Sequence, residues 1–232
     1  MKVKLISTTQ NLLDILYTGA RTCYNTGSPI DMFEEVGNIP PDKKLKLING
    51  CIKSGHSSVL EHSQFTFAIE GVSRALTHQL VRHRHCSFSQ QSQRYVNLEG
   101  TFDYVTPKAL QDEGDLQGYF AKCMQQAYES YTELINRGVK PEDARAVLPN
   151  ACCTNMVITL NLRSLIHLCN ERLCTRAQLE IRQLVQLMVK EVLKENEWLK
   201  PYLQPKCESL GYCPEYKGCG RKPSYSQLVD KE

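Results

Sequence analysis

One segment near the carboxyl end of the chain constrains the fold more than any other. Residues 176–199 have the pattern of a single helix that is apolar over most of its circumference. It carries Leu179, Ile181, Leu184, Val185, Leu187, Met188, Val189, Val192 and Leu193. Such a helix has to be buried, because in water too much of its apolar surface would be exposed. The chain must therefore surround it with a core or with a subunit interface.

Residue periodicity predicts the elements that could surround this helix. Alternating apolar residues predict strands over 3–6, 64–69 and 154–162. Spacings of three and four residues predict helices over 8–17, 41–54, 72–81, 115–135 and 164–173. This mixed order of strands and helices predicts an α+β fold, a single domain in which helices pack on a mixed or antiparallel sheet.

Local signals mark the ends of some of these helices. Ser7 with Gln10, and Thr175 with Gln178, have the spacing of a capping box, which predicts helix starts at these two places. Gly138 follows the helix over 115–135 at the position where a glycine commonly ends a helix.

The end of the chain differs in composition from the rest. After Pro201 it is rich in Pro, Gly, Lys and Tyr, which is typical of loops. We therefore expect one domain over residues 1–205 and a tail over 206–232. The tail holds Cys207, Cys213 and Cys219, but three thiols without a Cys-x-x-Cys pair are a weak indication of zinc. His56 and His62 fit no zinc spacing either, so we predict no metal site.

Composition excludes several classes of protein. Of 232 residues, 41% are hydrophobic and 23% are charged, which is ordinary for a globular protein and unlike a disordered or fibrous chain. The longest uncharged stretch, residues 146–162, is shorter than the roughly 20 residues of a membrane span. The first residues do not form a secretory signal. Eleven cysteines without an export signal indicate reduced thiols, so we expect a cytoplasmic protein with no membrane partner.

The net charge of +3 is small, but the basic residues are unevenly distributed. Between Gly71 and Asn97 the sequence has no Asp or Glu. The basic residues of this acid-free segment are Arg74, Arg82, Arg84, Arg94, His78, His83 and His85. A solvated basic surface would normally contain acidic residues as well, so this segment is expected to bind an anion from elsewhere. Its Ser and Gln side chains add hydrogen-bonding groups that suit phosphate oxygens and a polar heterocycle.

Two functions fit that composition equally well, a nucleotide site and a nucleic-acid-binding patch. Phe88 and Tyr95 are the only aromatic residues close to the arginines, which is too few for a base-stacking platform. The low net charge also argues against nucleic acid. A non-catalytic nucleotide- or nucleic-acid-binding protein that uses the stretch 82–94 remains the alternative.

The spacing within the acid-free segment is more specific than its composition. Arg82-His83-Arg84, seven further residues and Ser92, followed by Arg94-Tyr95, resembles the motif of flavin-dependent thymidylate synthases. The similarity covers about residues 1–200 in order. Its other matching segments are Gly55-His56-Ser57-Ser58, Glu61-His62, Ala144-Arg145-Ala146-Val147-Leu148-Pro149, Asn161-Leu162-Arg163-Ser164-Leu165 and the stretch 172–180.

The resemblance implies a fold, an activity and partners. It implies the thymidylate synthase-complementing protein fold and a homotetramer whose sites form between subunits. The implied reaction is a methyl transfer that converts dUMP to dTMP. The carbon would come from 5,10-methylenetetrahydrofolate, and NADPH would supply the hydride through bound FAD. Nucleic acid is not an expected partner.

The resemblance also assigns roles to matching positions. The implied FAD contacts are Ser58, Arg82, His83, Arg84, Gln90, Asn161, Arg163 and His167. The implied dUMP contacts are Gln79, Arg82, Gln90, Ser92, Arg94, Arg145 and Arg172. Arg172 is the predicted catalytic residue, because its permanent charge can stabilise negative charge on the uracil ring. Ser92, the second predicted catalytic residue, is expected to orient or polarise the pyrimidine, since it has no neighbouring base in sequence to make it a nucleophile.

Three positions depart from the pattern of the family. Ser89 and His167 stand where many members have Asn, and Gln90 stands where others have Glu. Any role that needs a carboxylate at position 90 is therefore absent. Among the implied flavin contacts, that of His167 depends most on such a difference, because many members have Asn at this position.

Overall fold

A computed structural model describes residues 1–96 and 102–229 of the chain. Its central element is one antiparallel sheet with the strand order β1-β2-β4-β3. The strands are β1 (Lys2–Thr8), β2 (Phe65–Ser73), β3 (Cys86–Gln90) and β4 (Cys153–Leu160). Helices pack on this sheet, so the predicted α+β class with an antiparallel sheet is confirmed.

The helices of the described residues vary from one turn to six. They are α1 (Leu12–Thr22), α2 (Pro29–Glu35), α3 (Pro41–Lys53), α4 (Arg74–Leu80), α5 (Lys108–Gln111), α6 (Gly114–Asn136), α7 (Pro141–Ala144), α8 (Leu162–Arg172), α9 (Leu179–Leu193), α10 (Lys206–Leu210) and α11 (Tyr225–Val229). Short 3-10 turns occupy Val36–Asn38, Ser57–His62, Arg145–Val147 and Glu197–Leu199.

The apolar helix that constrains the fold is α9, and it lies in the core of this chain. Ile181, Leu184, Val185, Met188 and Val192 are each fully buried. They belong to the same hydrophobic cluster as the inward residues of β2 and β4, and α9 contacts β1, α4 and α8. The predicted burial is confirmed, although the helix is shorter than predicted, 179–193 instead of 176–199.

The first helix starts later than its sequence suggests. Thr8 still pairs with Phe65 in the sheet, so strand β1 includes both Ser7 and Thr8. Helix α1 begins at Leu12, after Asn11 in a left-handed conformation (φ 50°). The predicted capping box of Ser7 and Gln10 is therefore wrong, because strand pairing to β2 extends through its first residue.

Of the two other predicted helix ends, the start of α9 is wrong and the end of α6 is confirmed. Helix α9 follows Gln178 without a side-chain cap, so the capping box of Thr175 and Gln178 is wrong. Gly138 does end α6 (φ 85°): its N–H donates to the Ile135 carbonyl (2.9 Å), and the Val139 N–H donates to the Leu134 carbonyl (3.0 Å). These two bonds form a Schellman motif, which satisfies the last carbonyls of the helix.

Strand β2 continues to Ser73, so helix α4 begins at Arg74, two residues later than predicted. The Ser73 hydroxyl accepts the N–H of Leu76 (3.0 Å) and caps α4 at its first turn. Glu180 of α9, which is 9% exposed, accepts the backbone N–H of Ser73 (2.8 Å) and its hydroxyl (2.6 Å). These bonds fix the start of α4 against the core helix.

The tail contains more structure than the predicted loop. It forms two short helices, α10 and α11, and a parallel bridge joins Cys213 to Ser224 between them. The rings of Tyr212 and Tyr225 lie 5.2 Å apart at this bridge. Residues 230–232 of the predicted tail lie outside the described part of the chain. The division of the chain at residue 205 stays a prediction.

Across residues 1–96 and 102–229, every helix is too short or too polar to cross a membrane.

Candidate functional site

The Arg-His-Arg motif lies in the tight turn between α4 and β3. The His83 N–H donates to the Leu80 carbonyl (3.1 Å), and His85 adopts a left-handed conformation (φ 60°) directly before the strand. As a result the side chains of Arg82 and Arg84 are exposed, whereas His83 points inward and is 8% exposed. The turn thus presents two cations to solvent and one imidazole to the interior.

This turn forms a pocket with the start of α8 and the 3-10 turn Ser57–His62. The pocket is lined by Glu61, Arg82, His83, Arg84, His85, Asn161, Arg163, Ser164 and His167. Its volume of about 590 Å³ lies within the usual range of small-molecule sites. It brings together six of the eight residues expected to contact FAD. The other two lie outside this lining: Ser58 is exposed, and the Gln90 amide donates to the Thr77 hydroxyl (3.1 Å).

Carboxylates balance only part of the positive charge in this pocket. Glu61 forms an ion pair with Arg163. Within residues 1–96 and 102–229, neither Arg82 nor Arg84 has a carboxylate partner. The Asn161 side-chain oxygen accepts the Ser164 N–H (2.8 Å) as the cap of α8, which leaves its amide hydrogens for a ligand. The pocket therefore offers two exposed guanidinium groups and several neutral donors to an anion.

Arg172, the predicted catalytic residue, contacts His83 of this pocket from the last turn of α8. Its Nε donates to Nε2 of His83 (2.9 Å), and its Nη2 donates to the Gln79 carbonyl (3.4 Å). The His83 ring also lies edge-on to that of His167, with centroids 5.6 Å apart. Burial, then the Arg172 charge and then His167, lower the pKa of His83 to about 4. His83 is consequently neutral at physiological pH.

The lowered pKa of His83 predicts a pH dependence of stability. An imidazole of the unfolded chain takes up a proton near pH 6.5, whereas His83 in the folded protein does so only near pH 4. Between these values the unfolded state binds more protons, so stability falls as the pH falls. The full effect is about 3 kcal/mol. Urea unfolding at pH 7.5, 5.5 and 4.5 measures the free energy of unfolding, and His83→Gln should lose less of it than wild type as the pH falls. Equal losses in the two proteins would contradict the lowered pKa of His83.

A second group of predicted residues lies at the other end of β3. The Nη2 and Nε atoms of Arg94 both donate to one carboxylate oxygen of Glu142 (2.8 and 3.1 Å). Arg145 donates from Nε to the Glu142 carbonyl (3.0 Å), and the Ser92 hydroxyl accepts the Arg94 N–H (3.1 Å). Ser92, Arg94 and Arg145, all expected to contact dUMP, are thus brought together. The charge of Arg94, expected to be unpaired, is met by a carboxylate from α7.

The two groups are separated along the sheet edge. The five residues of β3 extend over about 15 Å, and they lie between the Arg-His-Arg turn and Ser92. Gln79 and Arg172 lie at the first end, and Gln79 donates through its amide to Gln178. One chain therefore presents the residues expected to contact dUMP in two places and not around a single point.

Several residues of these two groups were not predicted from the sequence to belong to the site. Glu61 lies within a matching segment, but nothing in the sequence pairs it with Arg163, 102 residues away. Glu142 is likewise 48 residues from Arg94. Ser164 donates to the His85 carbonyl (3.4 Å) and joins α8 to the turn. These partners lie on the 3-10 turn Ser57–His62, on α7 and on α8, and periodicity does not predict how such distant elements meet.

The cysteine within the motif is held in its protonated form. All eleven thiols are free. Burial raises the pKa of Cys86, within the motif, to about 11, so this thiol stays protonated. Cys174 joins the three tail cysteines around a pocket between α8 and the tail. Even so, in the described residues no three His, Cys, Asp or Glu side chains are arranged to hold a metal ion.

Comparison with known proteins agrees with the family resemblance of the motif. The profile of a family described as thymidylate synthase complementing protein matches residues 4–196. A flavin-dependent thymidylate synthase of Nitratidesulfovibrio vulgaris is 45% identical over 96% of this chain and 95% of its own length. Proteins of the same name from Clostridium tetani (40% identical; 98% and 96% covered) and Pyrococcus furiosus (41%; 93% and 90%) are also similar.

Proposed function

Since the chain belongs to the thymidylate synthase complementing protein family, we propose that it is a flavin-dependent thymidylate synthase that methylates dUMP to dTMP. The observation that carries this proposal is the pocket at the Arg-His-Arg turn. Six residues expected to contact flavin line it, and Arg172 of α8 contacts one of them, His83. The alternative, a non-catalytic nucleotide- or nucleic-acid-binding protein that uses the stretch 82–94, does not fit this family, whose similar members are named as thymidylate synthases.

The residues of the pocket fit FAD. Its pyrophosphate carries two negative charges, and Arg82 and Arg84 offer exposed bidentate donors for them. The free amide hydrogens of Asn161 and the ring of His167 can bind polar edges of the cofactor. When bound, the flavin would supply the hydride that reduces the transferred carbon to a methyl group.

The second group of residues fits the phosphate of dUMP. Arg94 and Arg145 are basic side chains held beside one another by Glu142. Glu142 fixes the direction of the Arg94 guanidinium, and the guanidinium has further N–H groups that can bind phosphate oxygens. Ser92 lies next to Arg94, where its hydroxyl can orient the nucleotide. Gln79 and Gln90 would contact the nucleotide from α4 and β3.

Arg172 would act on the uracil ring through its charge. The reacting carbon of dUMP becomes nucleophilic when negative charge develops on the ring. A fixed guanidinium beside the ring stabilises this charge, and such electrostatic stabilisation is usually a large contribution to catalysis. A guanidinium only donates hydrogen bonds and has no acceptor atom, so Arg172 would act through its fixed charge and would not accept a proton.

The remaining parts of the reaction and the assembly belong to the same proposal. We expect 5,10-methylenetetrahydrofolate to supply the carbon and NADPH the reducing equivalents. We also expect a homotetramer, in which the residues of one chain that contact dUMP would face the flavin pocket of another chain. Two observations support this assembly: the predicted residues lie at opposite ends of β3, and in the 23-residue helix α6 only Met124 and Tyr131 are buried.

Replacing Arg94 tests the assignment of the phosphate site. Arg94→Ala should weaken dUMP binding by about 10- to 100-fold, because a hydrogen bond to a charged group contributes roughly 1.5–3 kcal/mol. Calorimetric titration with dUMP and with deoxyuridine separates the phosphate contribution, since deoxyuridine binding should be unchanged. Arg137→Ala, which removes an exposed arginine paired with Glu133, is the matched control. Equal losses for both ligands would contradict the assignment.

The proposed function has a direct test. Purified protein reconstituted with FAD should be yellow and should release tritium from C5-labelled dUMP when NADPH and methylenetetrahydrofolate are present. A protein that takes up no FAD would contradict the proposal. Tight binding of single-stranded nucleic acid without dTMP formation would instead favour the alternative.

A further inference from the structure

We propose that His83 is a positioning residue that holds the Arg172 guanidinium in place through an accepting Nε2 atom. This inference rests on the proposed function, in which Arg172 stabilises charge on the uracil ring. The family resemblance assigns His83 only to the flavin. The contact between the two side chains is 2.9 Å long, and it joins α8 to the turn after α4, 89 residues away in sequence.

The direction of this hydrogen bond determines the form of the imidazole. The Nε of an arginine carries a hydrogen and has no lone pair to offer, so it can only donate. Nε2 of His83 must therefore be the acceptor, and the single hydrogen of the neutral ring must be on Nδ1. With 8% of its surface exposed, the ring has little room to reorient.

A second contact fixes the plane of the guanidinium. Nη2 of Arg172 donates to the backbone carbonyl of Gln79 (3.4 Å), while Nε donates to His83. Both acceptors lie on the same edge of the group, and a guanidinium is planar with five N–H donors. The Nη1 edge has no hydrogen bond to residues 1–96 or 102–229, so it is available to a ligand.

Both acceptors of Arg172, the His83 imidazole and the Gln79 carbonyl, are neutral. A carboxylate partner would hold Arg172 equally well but would neutralise much of its positive charge. A neutral imidazole and a peptide carbonyl orient the group and leave its charge available for the anion that develops on the substrate. Two other arginines of the candidate site contrast with Arg172, because Arg94 and Arg163 are each paired with a carboxylate.

The surroundings of His83 favour its neutral form. The titratable groups that face it or line the same pocket are Glu61 from the 3-10 turn, Arg82, Arg84 and His85 from the turn after α4, and Arg163, His167 and Arg172 from α8. Apart from Glu61, which is paired with Arg163, all are basic. Protonation of His83 would place two N–H groups against each other and would break the contact.

Two variants of His83 separate positioning from packing. His83→Leu removes the acceptor, and His83→Gln restores one that cannot be protonated. With FAD and dUMP saturating, we expect His83→Leu to lower kcat by about 10- to 100-fold, since small misplacements of a catalytic group have effects of this size. We expect His83→Gln to recover most of that loss and to keep its kcat at low pH. His78→Leu and His78→Gln, exposed on α4, are the matched controls.

A measurement without turnover tests the contact itself. In ¹⁵N-detected NMR of the reconstituted protein, His83 should be the Nδ1–H form, and Arg172→Ala should raise its titration midpoint. If the protein makes no dTMP, the proposed function fails, while this spectrum still tests the contact. An Nε2–H form, equal loss of kcat in both His83 variants, unchanged kcat in His83→Leu, or failure of His83→Leu to bind FAD at saturation would overturn the proposal.

Discussion

Arg172→Ala is expected to leave a folded, yellow protein that makes almost no dTMP. Loss of one group that stabilises developing charge typically lowers kcat by about 100- to 1000-fold. Arg172 is in the last turn of α8, and both of its contacts are to neutral acceptors, so its removal leaves no buried charge without a partner. Flavin content from the visible spectrum and dTMP formation by chromatography measure the two effects separately.

Two further variants control for this result. Arg172→Lys keeps the charge but cannot donate to His83 and Gln79 with the planar geometry of a guanidinium, so an intermediate kcat is expected. Arg176→Ala removes a nearby arginine that pairs with Glu215 of the tail (3.1 Å), and it should leave turnover unchanged. Near-normal turnover of Arg172→Ala would remove this residue from the reaction.

Glu180→Leu is expected to destabilise the protein by about 3 kcal/mol. The carboxylate is nearly buried and accepts both the N–H and the hydroxyl of Ser73, which in turn caps α4. Leucine would leave these two buried donors without partners, and each such loss has a cost of about 1–3 kcal/mol. Because α4 leads into the Arg-His-Arg turn, weaker flavin binding should accompany the loss of stability.

Urea unfolding followed by circular dichroism, at one protein concentration, measures the effect of position 180. Glu180→Gln keeps one acceptor for the Ser73 N–H and should cost about half as much. Glu195→Leu and Glu195→Gln, at an exposed position after α9, should change the free energy of unfolding by less than about 0.5 kcal/mol. Equal stability of Glu180→Leu and wild type would show that the cap does not depend on Glu180.

The sequence predicts the elements whose periodicity is long and regular. Helix α6 and helix α9 have many apolar residues at helical spacing, and β4 alternates over eight residues. Strand β3 was not predicted, because it has five residues and, within residues 1–96 and 102–229, lies at the edge of the sheet and pairs only with β4. Its alternation of Cys86 and Phe88 with serines is too short to distinguish from a loop.

The candidate site was predicted in composition but not in arrangement. The spacing of Arg82, His83, Arg84 and Ser92 indicated the family, and the structure places the first three around one pocket. Their partners come from distant parts of the chain through the packing of α7 and α8. The contact of His83 with Arg172 is of this kind, and it depends on burial and hydrogen-bond direction, which the motif does not encode.

A single-turnover experiment tests the proposed reaction most directly. Protein with FAD is reduced chemically, freed of reductant and mixed without oxygen with dUMP and methylenetetrahydrofolate, in the absence of NADPH. The proposal predicts about one dTMP and one tetrahydrofolate per flavin, together with return of the yellow colour. Formation of dTMP with dihydrofolate while the flavin stays reduced, or no dTMP at all, would contradict it.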